Sequence, residues 1–380
     1  MEQPKEKRRK GGYRKRRRQL KLTLPFPADL NLEILLRLPA RSVLRFRCVS
    51  KLWSSITTDS YFINSYETRF STLRPSLLVC FIANGKLFVS SIPQDNQNSK
   101  ESSYSCSQPI YRYNMKFPQG PCYFPPTESV HGLICFQVSA SPVIWNPSKR
   151  QLLTFPKPDE NWSNITMFLG YDPVEGKHKI MCIPDSRSSE VCRVLTLGSA
   201  QESWRTVKTN HNHYSDYNTF GRCIKGVIYY IADIYHKGVW VIISFDVRFE
   251  RFGMIDLPTD IYRDMLISYE GKLAVVENKG IDWKSKLWIL EDAGKQKWSR
   301  KEFLVPFRYH QKGVELKLKS FTHTGELIYV PPTFHKSDYI LFCDPVRESF
   351  RRFQFKGIAD DESGNGVRNG YVLHSFPNHL

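Results

Sequence analysis

The chain has 380 residues, which is enough for one large domain and one small domain. Its composition is that of a globular protein, with 41% hydrophobic and 24% charged residues. No run of about 18 apolar residues occurs, so we expect no membrane-spanning helix. The first basic residues are not followed by an apolar stretch, so we also expect no secretory signal.

Residues 1–22 are predicted to form a separate, disordered segment. Eleven Lys and Arg against two Glu give residues 1–21 a net charge of +9, half of the chain's +18. Such a block repels itself and has almost nothing to bury. Two basic clusters predict a nuclear-import signal and a nuclear location, with the cytoplasm as a second location. The clusters consist of Lys7, Arg8, Arg9, Lys10, Arg14, Lys15, Arg16, Arg17 and Arg18. An arm that binds nucleic acid through its phosphates, or a charged tail without a specific role, remains an alternative.

Residues 24–58, LPFPADLNLEILLRLPARSVLRFRCVSKLWSSITT, predict three short helices. Pro27 fits the first turn of a helix, because the N–H group that proline lacks would be unpaired there. Pro39 ends this first helix, which we expect to reach Leu38. Two further helices are predicted over Ala40–Arg47 and Val49–Thr57.

The first of these helices is more apolar than one core requires. Leu30, Ile34 and Leu38 share one stripe at helical spacing, whereas Leu32 and Leu36 lie on the other side. Packing against a single core needs an apolar arc of roughly 100°, and this helix is apolar over about twice that arc. A unit of about 45 residues rarely builds a sufficient core alone. It therefore either packs on the rest of the chain or docks to another protein.

The order LP-x-P-x-DL-x-x-EIL-x-RLP-x-x-SVLRFRCVSK-x-W-x-S-I resembles the F-box, in the form found in the large plant F-box family. In that family the F-box binds a Skp-type adaptor, which joins it to a cullin in an SCF ubiquitin ligase. The resemblance implies adaptor contacts at Leu24, Pro25, Leu30, Ile34, Leu35, Leu38, Pro39, Val43, Leu44, Val49 and Trp53. Leu36 is more apolar than is usual at its position, which would either strengthen docking or reduce solubility.

Residues 59–70, DSYFINSYETRF, predict one more helix that bridges to the following domain. We therefore expect an α+β chain with separate domains: the basic tail over 1–22, three helices and the bridging helix over 23–70, and an all-β domain over 71–380. From Ser76 onward, short runs of β-branched and aromatic residues alternate with Gly, Asn, Asp and Pro turns, which is typical of a many-stranded β fold.

A glycine followed by an apolar strand recurs along this β region. The glycines are separated by 47, 94, 45 and 54 residues, at Gly85, Gly132, Gly226, Gly271 and Gly325. A period near 47 with about four strands per repeat predicts a β-propeller of six or seven blades. A strand near Tyr371–Phe376 is expected to complete the first blade, and a large open β-sandwich is the alternative.

Three motifs resemble the F-box-associated domain of plant F-box proteins: HGLICF (131–136), VIWNPSKRQLLTFP (143–156) and LGYDPVEGKHKI (169–180). The resemblance implies that this domain captures a target protein. The motif residues themselves read as structural: Gly132 for its backbone freedom, Asn146 and Asp172 for turns, and Trp145 and Tyr171 for the core. The polar connections 93–108, 208–218 and 359–369 are the candidate recognition loops.

Nine cysteines are present, an odd number without a C-x-x-C pair. Several lie in apolar runs, such as Cys135 and Cys182, so we expect small buried hydrophobic residues in a reducing compartment. The histidines do not fall at ligand spacing, so we expect no metal and no other cofactor. His211 and His213 lie in a polar loop and are expected to be solvated.

No nucleotide-binding loop, G-x-S-x-G or H-E-x-x-H motif occurs, which argues against an enzyme. The favoured function is that of a non-catalytic substrate-recognition subunit of an SCF-type ubiquitin ligase. Its partners would be a Skp-type adaptor, a cullin held through that adaptor, and an unknown target protein. A nuclear nucleic-acid-binding protein and, more weakly, a carbohydrate-binding propeller are the alternatives.

Overall fold

The fold comes from a computed structural model of the whole chain. It divides into two compact units, Met1–Phe62 and Ile63–Leu380. The residues that the structure describes are 28–38, 40–59, 61–63, 65–66, 76–93, 111–119, 122–124, 128–185, 190–199, 203–209, 211–215, 221–234, 237–258, 266–277, 284–304, 316–322, 325–334, 339–344, 347, 349–354 and 371–379.

The first unit contains three short helices, α1 (Ala28–Arg37), α2 (Ala40–Phe46) and α3 (Lys51–Thr58). The third helix begins two residues later than predicted, because Ser50 has an extended backbone and is its N-cap. The Ser50 hydroxyl accepts a hydrogen bond from the backbone N–H of Trp53 at 3.1 Å. Of the predicted bridging helix, residues 61–63 and 65–66 are helical, and most of the remainder lies outside the described residues. None of the described helices is long and apolar enough to cross a membrane.

The second unit is a six-bladed β-propeller, built from six four-stranded antiparallel sheets. Blade 1 contains β1 (Ser76–Ala83), β2 (Lys86–Pro93), β3 (Tyr111–Lys116) and β26 (His374–His379); blade 2 contains β4 (Cys122–Tyr123), β5 (Ile134–Val138), β6 (Ser141–Asn146) and β7 (Gln151–Thr154); blade 3 contains β8 (Ile165–Asp172), β9 (Lys177–Pro184), β10 (Val191–Thr196) and β11 (Arg205–Lys208). Blade 4 contains β12 (Gly221–Ile224), β13 (Val227–Ile234), β14 (Val239–Asp246) and β15 (Arg251–Asp256); blade 5 contains β16 (Leu266–Tyr269), β17 (Lys272–Glu277), β18 (Lys284–Asp292) and β19 (Lys297–Leu304); blade 6 contains β20 (Lys317–Phe321), β21 (Leu327–Val330), β23 (Tyr339–Asp344) and β24 (Ser349–Gln354). A two-stranded ribbon joins β22 (Thr333–Phe334) to β25 (Tyr371–Val372).

The ring closes with strands from both ends of this domain. β26 pairs antiparallel with β1, so the C-terminal strand becomes the first strand of blade 1. This arrangement confirms the predicted completion of the first blade and sets the number of blades at six. The open β-sandwich is therefore wrong.

The first strands of successive blades line the propeller axis. β8 contacts β12, β12 contacts β16, β16 contacts β20, and β20 contacts β26. The hydrophobic cores lie between adjacent blades, so a blade buries both of its faces. In blade 3, for example, all eight residues of β8 are buried, and the ring of Phe168 stacks on Tyr230 of blade 4 with a centroid distance of 4.6 Å.

The repeated glycines mark hairpins that need a left-handed backbone. Gly226, Gly271 and Gly325 join the first and second strands of blades 4, 5 and 6 with φ between +69° and +87°. Gly85 has the same conformation but joins the second and third strands of blade 1. This difference arises because the first strand of blade 1 comes from the C-terminus.

Candidate functional site

The three helices enclose a small core of their own. Asn31, which sits among leucines in the sequence, is buried, and its side-chain oxygen accepts a hydrogen bond from the indole N–H of Trp53 at 3.2 Å. The ring of Trp53 also meets Phe46 edge to face, with centroids 5.0 Å apart. Leu35 and Val43 are buried. A buried amide that found no partner would be costly, so the Asn31–Trp53 bond fixes how α1 and α3 pack.

Among the described residues 28–58, four large aliphatic side chains remain exposed. Leu30 is 49% exposed, Ile34 40%, Val49 66% and Leu52 48%. Leu30 and Ile34 are four residues apart on α1 and therefore lie on the same side of the helix. Beside them, Glu33 and Arg37 form an exposed ion pair at 2.8 Å. A helical unit this small that exposes this much apolar surface is typical of a protein-docking element.

The structure divides the eleven predicted contact residues by burial. Leu30, Ile34 and Val49 are exposed, Leu38 and Trp53 are half-buried, and Leu35 and Val43 are buried. Leu24, Pro25 and Pro39 lie outside the described residues, and Leu44 lies in α2 with a side chain that is not described. The exposed members are available to a partner, whereas the buried members hold the helices together.

Two apolar residues differ from their sequence interpretation. Leu36 is buried, so it contributes to the core and is not a docking residue. Leu52 is exposed but was not among the predicted contacts. Leu52 lies three residues after the exposed Val49, and the N-cap Ser50 lies between them. This position at the start of α3 is the sequence signal for its exposure.

A buried ion pair lies at the centre of the propeller, and no sequence motif indicated it. Glu128 precedes β5, and its carboxylate is 3.2 Å from the guanidinium Nε of Arg222 on β12. The hydroxyl of Ser320, on β20, donates to the same carboxylate at 3.4 Å. Burial raises the pKa of Glu128, and the positive charge of Arg222 opposes that rise. The carboxylate thereby connects blades 2, 4 and 6 across the axis.

The prediction that the His211–His213 pair is solvated is wrong for His213. Its imidazole is buried; one ring nitrogen lies 2.7 Å from the hydroxyl of Tyr230, and the other lies 2.8 Å from the carbonyl of His211. The loop that carries His213 is attached to blade 4, because Tyr214 forms a β-bridge with Asp233 near the end of β13. Burial lowers the pKa of His213, so this histidine is a structural, neutral residue.

The described cysteines are mostly small core residues, as predicted. Cys80, Cys135, Cys182, Cys192 and Cys343 are buried, and eight cysteines in the described part of the chain are free thiols. Burial raises the pKa of Cys135 to about 12, which keeps the thiol protonated and unreactive. Within the described ranges, no group of three or more His, Cys, Asp or Glu is placed to hold a metal ion.

The motif residues have the structural roles that the sequence indicated. Trp145 and Tyr171 are buried, and Gly132 has φ +76°. The side chain of Asn146 accepts the backbone N–H of Lys149, and that of Asp172 accepts the N–H of Val174. Of the three candidate recognition loops, 359–369 lies outside the described residues, and the other two are described only in part.

Comparison with protein families matches both units. Residues 24–65 match the F-box domain. Residues 76–380 match the F-box associated beta propeller domain. These two ranges contain the three helices with their exposed apolar residues and all six blades.

Proteins similar to this chain over nearly its full length are named as F-box proteins. Two Arabidopsis thaliana relatives named as F-box proteins are 55% and 54% identical over 392 residues, covering 100% of this chain and 98% of each relative. A third F-box protein of that plant is 40% identical, covering 93% of this chain and 91% of its own. Among solved structures, TolB from Acinetobacter baumannii matches with a TM-score of 0.46 and 10% identity, over 80% of this chain and 66% of TolB. The two family matches and the plant relatives show that the chain belongs to the family of F-box proteins with an F-box-associated β-propeller domain.

Proposed function

We propose that this protein is a substrate-recognition subunit of an SCF-type ubiquitin ligase. The F-box docks a Skp-type adaptor and, through it, a cullin, while the propeller captures a target protein for ubiquitination and degradation. The chemistry of ubiquitin transfer belongs to other subunits, so the chain acts as a non-catalytic adaptor.

One observation carries the proposal: the F-box completes its internal core and still leaves Leu30, Ile34, Val49 and Leu52 at the surface. Burying a leucine-sized side chain contributes about 1.5–3 kcal/mol, so a partner that covers these four residues gains substantial binding free energy. Apolar anchors at the centre of an interface are the usual main contributors to affinity.

The double substitution Leu30→Asp/Ile34→Asp is expected to weaken binding of a Skp-type adaptor on the order of a hundredfold or more. Both side chains are exposed, and Asp at position 30 lies in the first turn of α1, where the helix dipole favours a carboxylate. The helices should therefore remain folded. The measurement is the affinity of the full chain for the purified adaptor, with circular dichroism to follow the fold.

Val174→Asp is the matched control, because it replaces another exposed aliphatic side chain, 59% exposed, in a turn of the propeller. This variant should bind the adaptor as the wild type does. Unchanged adaptor binding by the double variant would remove the docking role from α1.

We also propose that the basic clusters 7–10 and 14–18 direct the protein to the nucleus. They contain nine of the eleven Lys and Arg residues of the tail. Replacing all nine with Gln in a fluorescently tagged full chain is expected to lower the nuclear-to-cytoplasmic intensity ratio severalfold. Replacing the cations outside the clusters, Lys5 and Lys21, should leave the ratio unchanged. An unchanged ratio in the nine-residue variant would favour the nucleic-acid-binding arm, which predicts salt-dependent retention on DNA.

A further inference from the structure

A groove between blades 2 and 3 is not used in adaptor docking by the F-box. It has a volume of about 420 Å³, which lies within the range of roughly 300–1,000 Å³ that is usual for binding pockets. We call it the blade 2–3 groove. Its apolar residues and its two lysines are Leu133, Ile144, Leu153, Leu197, Lys149 and Lys177.

Blade 2 provides an apolar floor for the groove. The register of β6 and β7 pairs Ile144 with Leu153, so the two side chains lie beside each other on one face of the sheet. Ile144 is buried in the core between blades 2 and 3, whereas Leu153 is 49% exposed. Leu133 packs against the same core and is partly exposed. The core between the blades therefore continues into the groove, where Leu153 is accessible to a ligand.

Blade 3 forms the opposite wall. Leu197 follows β10, and its backbone N–H donates to the carbonyl of His178 on β9 at 2.9 Å. The side chain of Leu197 packs against the inter-blade core and remains partly exposed. At Gly198, apart from its chain neighbours, no heavy atom lies within 4 Å of the place where a Cβ would be. This wall therefore leaves open space beside Leu197.

The two lysines give the groove a positive charge. Lys149 is exposed in the turn between β6 and β7, where the side chain of Asn146 accepts its backbone N–H at 2.9 Å. Lys177 is exposed at the start of β9, and its Nζ lies 3.8 Å from the carboxylate of Glu175. Both side chains of that pair are about half exposed, so it neutralises Lys177 only weakly. Among the described residues that line the groove, none carries a carboxylate.

The charges and the floor together define a complementary ligand. Lys149 belongs to blade 2 and Lys177 to blade 3, so positive charges come from both sides of the apolar floor. A ligand that matches this arrangement has an apolar group at its centre and negative charges around it. A peptide segment with one leucine-sized side chain among acidic residues has this chemistry.

We propose that the blade 2–3 groove binds an acidic segment of the target protein. An aliphatic side chain of that segment packs against Leu153 and Leu197, and its carboxylates lie near Lys149 and Lys177. This inference rests on the proposed function, in which the propeller captures the target, and it assigns the capture to one surface of the propeller.

Fluorescence polarisation with a labelled peptide, in which one central leucine lies between two runs of four glutamates, tests the proposal. The full chain carries Gln at the nine cluster positions of the basic tail, so that the tail does not attract the peptide. We expect binding in the micromolar range that weakens as the ionic strength rises. Replacing the central leucine of the peptide with glycine should weaken binding about tenfold or more, because the burial of the leucine is lost.

Two substitutions in the protein test the charges of the groove. Lys149→Glu/Lys177→Glu should weaken peptide binding about tenfold or more, because the variant repels the glutamates. Lys237→Glu/Lys295→Glu is the matched control, since it changes the net charge equally at exposed lysines in turns of blades 4 and 5. This control should keep the affinity of the wild-type groove.

Leu153→Thr tests the apolar floor. Threonine suits a β-strand but removes most of the apolar contact, so we expect about a threefold to tenfold loss of peptide affinity. Val239→Thr, at another exposed aliphatic residue at the start of β14, is the matched control and should bind the peptide normally. Thermal unfolding of each variant shows that the propeller remains folded.

Adaptor binding, measured separately, distinguishes a failure of this inference from a failure of the proposed function. The groove variants should bind a Skp-type adaptor normally, and Leu30→Asp/Ile34→Asp should keep the peptide. Equal peptide affinity of the groove variants and their controls, equal binding of the leucine and glycine peptides, or no binding up to about 1 mM peptide would overturn the site. Competition by N-acetylleucine as tight as that of the peptide would overturn the acidic segment as its ligand.

Discussion

Phe376→Ala is expected to lower the free energy of unfolding of the propeller by about 3–5 kcal/mol. The Phe376 ring is buried, with centroid distances of 6.4 Å to Trp145 and 6.2 Å to Phe124. Truncation to alanine loses this burial and leaves a cavity between blades 1 and 2. The substitution also lies on β26, the strand that joins the two ends of the ring.

Phe376 also lies on the strand that closes the ring, so its loss has a second consequence besides the loss of packing. Blade 1 receives three strands from the beginning of the domain and one from its end. If β26 detaches, β1 and the neighbouring first strand β20 lose their contacts with it. Denaturant unfolding followed by near-ultraviolet circular dichroism measures the cost. Val372→Ala is the matched control in the same C-terminal segment; its side chain is exposed, so the change should be about 0.5 kcal/mol or less. Equal effects of the two substitutions would contradict the closure described here.

Arg222→Met is expected to destabilise the propeller by about 3–5 kcal/mol, because it leaves the Glu128 carboxylate buried without its partner. Adding Glu128→Gln should recover most of this loss, since the amide has no charge to compensate. The two single variants and the double variant form a cycle whose coupling energy reports the pair directly.

The loss of stability caused by Arg222→Met is expected to increase with pH. Burial already raises the pKa of Glu128 above its ordinary value, and the opposing effect of Arg222 is lost in the variant. A carboxyl group with a raised pKa in the folded state favours folding when it is protonated. The cost of Arg222→Met should therefore be smallest below the unfolded pKa of about 4.3 and should grow as the pH rises through the folded pKa. A cost that does not depend on pH would show that Glu128 is not charged in the native protein.

Periodic and local signals were sufficient to predict much of the architecture. The helical spacing of Leu30 and Ile34 predicted α1, and Pro39 predicted its end. The glycine repeat predicted a propeller, because each hairpin needs a residue with positive φ. The spacing alone is compatible with six or seven blades, since it does not show which strand begins blade 1.

Local sequence patterns do not predict contacts between segments that are distant in the sequence. His213 is polar and lies in a polar loop, yet the bridge between Tyr214 and Asp233 places it against Tyr230. Glu128 and Arg222 come from different blades, and each alone reads as an ordinary surface charge. Leu36 differs from the exposed Ile34 only through the packing of the helices. These features depend on the closed fold, which a local pattern does not encode.

The most direct test of the docking role of the F-box is hydrogen–deuterium exchange of the full chain with and without a stoichiometric Skp-type adaptor. We expect a stable complex in which amides of α1 and α3, including the segments with Leu30, Ile34 and Leu52, become protected. Exchange in the six blades should stay unchanged. The absence of a complex, or protection confined to the propeller strands, would contradict the claim that the F-box helices hold the ligase.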